Sequence, residues 1–131
     1  MQDPIPREAK LLLSLAGVSL LCATIAGALG AHVLALDERG LRSFDSAVDF
    51  QFFHGLGLIA IALVGSRVGA SRLIRIAAWL MVVGTVLFCG SIYARSLGAP
   101  GGIVAAAPYG GVAFMVAWVL FAIGVWRSPA R

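Results

Sequence analysis

A chain of 131 residues that is 60% hydrophobic and 12% charged is too apolar for an ordinary water-soluble domain, which averages roughly 45–50% apolar and about 25% charged residues. Its net charge of +4 comes from ten Lys and Arg against six Asp and Glu. These cations stand at the ends of apolar runs and form no basic stripe, so the footprint of a nucleic-acid binder is missing and a membrane-side marker fits instead.

Residues 1–10 read as a short polar tail with Pro4, Pro6, Arg7 and Lys10. Residues 11–31 are uncharged, and about 20 apolar residues in a helix cross the roughly 30 Å hydrocarbon layer. A cleavable signal peptide has an apolar core of only about 7–15 residues, so a retained helix is expected. Gly40 is expected to interrupt the next segment, with helix resuming near Leu41. Leu41, Phe44, Val48 and Phe52 then form one apolar face, while Arg42, Asp45 and Asp49 lie together on another side. This reads as an interfacial lead-in to a second helix, 41–66 in all. A tight turn with Arg67 and Arg72 follows, and Ser71 is the expected N-cap of a third helix over 72–94. LGAPGG is turn chemistry. Pro108 suits the first turn of a fourth helix over 107–126. No repeat or linker divides the chain. The expectation is one all-α domain, 1–131, an integral-membrane four-helix antiparallel bundle.

With the N-terminus in the cytoplasm, that side holds seven basic residues, Arg7, Lys10, Arg67, Arg72, Arg75, Arg127 and Arg131, against three, Arg39, Arg42 and Arg95, on the other. The imbalance places both termini in the cytoplasm. Small residues let membrane helices approach closely. The expected packing positions are Gly27, Gly30, Ala31, Gly55, Gly84, Gly90, Gly110 and Gly111, with Ala23, Ala113 and Ala117 on the outer two helices.

This topology gathers His32, Asp49, Gln51, His54, Ser91, Tyr93, Arg95 and Tyr109 at the outer end. Polar groups at membrane depth are costly and mark function by default. They also tie helix ends together, so a structural knot and a site both stay open. His32 and His54 are the only histidines and would be the ligands of a haem or metal. No CxxCH, HExxH or GxSxG motif accompanies them, and no carboxylate inside the apolar runs is placed to act as a base. Cys22 and Cys89 form no CxxC pair and read as small buried hydrophobes.

Four blocks in order carry a resemblance: Gly27-Ala-Leu-Gly30-Ala-His32-Val-Leu34; Phe44-Asp-Ser-Ala47-Val48-Asp-Phe50-Gln51-Phe-Phe-His54; Gly84 through Leu87-Phe88 to Gly90-Ser91-Ile-Tyr93; and Pro108-Tyr-Gly110-Gly111 with Phe114 and Trp118. The chain resembles the small inner-membrane proteins of the YgdD type, a domain of unknown function with mammalian mitochondrial relatives. It departs from that pattern at Phe50, often Tyr, and at Ala117, often Gly. The resemblance implies a four-helix protein of the bacterial inner membrane and supplies no activity. The expected role is a non-enzymatic structural or accessory component of a membrane complex, with no cofactor. A small oligomeric transporter or channel and a haem- or metal-binding protein are the alternatives. The expected partners are the lipid bilayer, other membrane proteins or a second copy of the chain, and no nucleic acid.

Overall fold

The computed structural model describes residues 5–69 and 71–129; Pro4 and Arg131 lie outside them. Four helices follow in order: α1 (Arg7–His32), α2 (Glu38–Val68), α3 (Arg72–Ser96) and α4 (Ala107–Trp126). A short 3-10 segment, Gly101–Ala106, leads into α4. All four are long and apolar enough to cross a membrane, and each satisfies its backbone internally, as a lipid solvent requires.

The helices reach further than the uncharged runs. α1 begins at Arg7, with Pro6 as its N-cap, so part of the polar tail is helical. α2 begins at Glu38. Asp37 caps it, its carboxylate accepting from the Gly40 N–H at 2.7 Å. Gly40 therefore sits inside the first turn and does not interrupt the helix, because the cap satisfies its free N–H. Arg42 pairs with Glu38 at 2.8 Å, one turn back, and not with Asp45. Ser71 holds the N-cap position of α3, but its side chain makes no capping bond. Gly98, at φ 99°, takes the left-handed conformation that ends α3, a geometry open chiefly to glycine.

Neighbouring helices run antiparallel. Phe44 packs on Gly30 and Leu20 on Gly55 between α1 and α2, while Gly84 faces Gly110 and Ile74 faces Gly124 between α3 and α4. The bundle thus has a terminal end, holding the start of α1, the α2–α3 turn and the end of α4. Its loop end holds residues 33–37 and 97–106. At the terminal end Glu8 clasps α3: Arg75 Nε lies 3.0 Å from Oε2, and Trp79 Nε1 donates to Oε1 at 3.2 Å. The terminal half of the core is apolar, built on Ile61, Ala77, Met81 and Ala117, all fully buried.

The glycines divide into those that pack and those that do not. A Cβ on Gly110 would run into Phe88 N and stand 2.9 Å from the Gly84 carbonyl; one on Gly84 would stand 2.6 Å from Phe114. Gly30 and Gly55 would each bring a Cβ to 2.8 Å from a facing side chain, and Gly27 makes ordinary contact with Val48. Gly90 and Ala31 are exposed, and Gly111 has only one distant neighbour, Phe88. These three are not packing positions, because no other helix approaches them closely. Gly57 against Trp118 and Gly124 against Ile74 are close approaches that periodicity did not single out.

Candidate functional site

The polar side chains do not share one rim. Gln51, on α2, is buried at 5% exposure. Its Nε2 donates to the Ser19 carbonyl at 3.0 Å and lies 3.3 Å from Ser19 Oγ, both on α1. Its Oε1 accepts from the Tyr93 hydroxyl of α3 at 2.7 Å. One carboxamide thus joins three helices and spends donor and acceptor together. A helical carbonyl retains a second lone pair, so the Ser19 oxygen accepts without losing its own helix bond. Tyr93 is held from the other side by Phe44, ring centroids 5.1 Å apart.

The depth of this latch differs from the rim assigned by topology. Ser19 is at the midpoint of α1, on the order of 20 Å along the axis from His32 at about 1.5 Å per residue. The long Gln51 side chain reaches one turn past its own level. At that depth water competes little for a hydrogen bond, and an unmade one is costly.

His54 takes a separate position. It is one turn further along α2, but the register turns it toward α4. Its ring stacks on Phe114 with centroids 3.5 Å apart and planes at 17°, and Phe50 and Trp118 stand nearby. Its Nδ1 lies 2.7 Å from the Phe50 carbonyl. A carbonyl only accepts, so Nδ1 carries the proton and Nε2 is the unprotonated nitrogen of the neutral ring. His32 is exposed at the end of α1. Because Leu20 packs on Gly55, the two imidazoles stand on the order of 18 Å apart along the axis, which separates them as ligands of one metal. Among the described residues no three His, Cys, Asp or Glu side chains gather as a metal site would need.

The remaining predicted residues are also apart. Ser91 is buried and donates within its own helix to the Phe88 carbonyl at 3.0 Å. Arg95 is exposed and donates to the Ala99 carbonyl at 3.3 Å. Asp49 and Tyr109 are exposed. Of the predicted cluster, only Gln51 and Tyr93 touch. Two partners lay outside it: Ser19, a lone hydroxyl in an apolar run, and Glu8, a carboxylate just ahead of one. The signal for Glu8 was available, since an acidic residue beside a membrane span needs a cation, and Arg75 lies at the same end.

No buried side-chain nitrogen or oxygen among the described residues lacks a hydrogen-bond partner. Of the buried polar residues described above, His54 alone has a nitrogen, the not fully covered Nε2, for which no hydrogen bond is found among the described residues.

Comparison with known proteins agrees with this architecture. Residues 26–111 match the family model described as "Protein of unknown function (DUF423)". That span includes Gln51, His54 and Tyr93 but not Ser19. The chain is 32% identical over 116 residues to the UPF0382 membrane protein YwdK of Bacillus subtilis, covering 87% of this chain and 94% of the relative. It is 33% identical over 106 residues to a UPF0382 membrane protein of Haemophilus influenzae, covering 79% and 84%. It is 29% identical over 130 residues to the UPF0382 inner membrane protein YgdD of Escherichia coli, covering 93% and 94%. No solved structure matches. The four spans, the family model and these full-length likenesses lead to one conclusion: the chain belongs to the DUF423/UPF0382 family of multi-pass membrane proteins of the bacterial inner membrane.

Proposed function

We propose that the protein is a non-enzymatic structural or accessory component of an inner-membrane complex, with both termini in the cytoplasm. One observation carries this reading: the carboxamide of Gln51 is committed on both sides, to Ser19 and to Tyr93. A group that must bind or transform a substrate keeps a donor or acceptor free for it, and this one keeps the helices together. At His54 the Nδ1 is held by its own helix and the ring is covered by Phe114, which leaves Nε2 as its one open acceptor. The orientation rests on the excess of Arg and Lys at the terminal end.

A channel would need a hydrophilic path through the whole thickness. The terminal half of the core is closed by Leu58, Ile61, Met81 and Phe114, which argues for the accessory role over transport. α1 and α4 leave most of their apolar surface uncovered, and this is the surface available to a partner in the membrane. Cross-linking in native membranes with photoreactive residues at Val18 and Val119, both more than half exposed, tests the reading. A reproducible adduct with another membrane protein is expected. Recovery of the uncross-linked chain alone, from both positions, would overturn it.

A further inference from the structure

The three helices that Gln51 joins do not close on one another along their whole length. α1 and α3 meet at the terminal end through Glu8, Arg75 and Trp79. Toward the loop end they are separated by an open cleft of about 400 Å³, floored by α2. Its walls are Cys22, Ala26 and Leu29 on one side and Val86, Gly90 and Leu97 on the other. Gln51 and Tyr93 lie at the floor, their facing groups bonded to each other, so the cleft presents carbon almost throughout.

We propose that this cleft holds one acyl chain of a bilayer phospholipid, entering from the loop-end leaflet with its headgroup near the level of His32. Three features argue for that occupant. The cleft opens sideways, and in a protein of the inner membrane that direction is lipid. Its length along α3, from Thr85 to the cap residue Leu97, is on the order of 18 Å at helical rise, close to one leaflet's share of a roughly 30 Å hydrocarbon layer. Its volume holds on the order of a dozen methylene-sized groups, taking about 30 Å³ for each as for a water molecule. A helix from a second copy, about 10 Å across, would need far more room.

The chain would act as a removable filler. It completes the wall that α1 and α3 leave open, and it shields the Tyr93–Gln51 bond from any water entering at the rim.

The test is photolabelling of the full chain in phospholipid vesicles, with a phospholipid carrying a diazirine midway along one acyl chain. Labels are expected to concentrate on residues 22–29 and 86–97. Labelling spread evenly over these and the exposed face of α4 at Val112, Met115 and Val119 would overturn the proposal, as would a cross-linked dimer formed through the cleft. Gly90→Phe supplies the second arm. A side chain begun at Gly90 meets nothing, so it can fill the cleft with the bundle intact. Gly90→Phe is expected to abolish the labels on residues 22–29, and Val112→Phe to leave them. Equal labelling in both variants would also overturn the proposal. If Gly90→Phe does not fold, the wild-type pattern decides alone.

Discussion

The two antiparallel pairs of this bundle are built on glycine in different ways. Between α3 and α4 the backbones themselves meet: Gly110 faces Phe88 N and the Gly84 carbonyl. Between α1 and α2 the glycines receive side chains, Phe44 on Gly30 and Leu20 on Gly55, and a polar latch from Gln51 to Ser19 is added. Lipid offers no hydrophobic drive for helix association, so contact must come from packing and from hydrogen bonds. One pair relies wholly on the first means. The other combines both, and its latch also reaches α3. A backbone seam cannot yield, whereas a side-chain seam can be repacked.

That contrast can be broken most sharply at Gly110. Gly110→Val drives a β-branched side chain against the backbone of α3, and overpacking alone typically costs about 1–3 kcal/mol. The expected result is a melting temperature in mild detergent lowered more than by any other single change here, or no folded protein at all. Gly90→Val, on the facing helix α3 but beside open space, is expected to melt like the wild type.

Gln51→Leu should come next. It removes the bonds to Ser19 and Tyr93 and leaves the Tyr93 hydroxyl without its partner. Interhelical hydrogen bonds in membranes average about 0.6 kcal/mol and reach about 1.7, so a loss of roughly 1–2 kcal/mol is expected in a reversible unfolding titration. Gly55→Ala is expected to cost less than Gly110→Val, because the atom it meets is the end of the flexible Leu20 side chain. Comparing the two melting curves measures how far the side-chain seam can adjust. The smallest effect belongs to Glu8→Gln. Its ion pair with Arg75 is partly exposed, and such pairs contribute about 0–1 kcal/mol; a slight fall in melting temperature, diminished further at high salt, is expected.

The four spans were legible because their signal is length: an apolar run of some twenty residues has few other uses. Gln51 and Tyr93 stood out as polar groups beside such runs. Their true depth did not, because it depends on how far α2 slides along α1, and that register is set by Leu20 on Gly55 and Phe44 on Gly30. No periodicity within one helix reports it. Ser19 was invisible for the same reason, since a single serine in a membrane helix is common and acquires meaning only opposite Gln51. Gly40 was misread because glycine disfavours helix interiors, whereas here Asp37 turns it into part of a cap. His32 and His54 looked like a pair by residue type. The register separates them by about half the membrane.

The central claim is that Gln51 couples α1, α2 and α3 through one carboxamide at mid-membrane. A double-mutant cycle on Gln51→Leu and Tyr93→Phe, read by reversible unfolding in mild detergent, tests it most directly, since only groups in contact give non-additive losses. The account predicts that each single change destabilises the protein and that the double variant is little worse than Gln51→Leu alone. Fully additive losses would mean that the two side chains do not bond, and would contradict it.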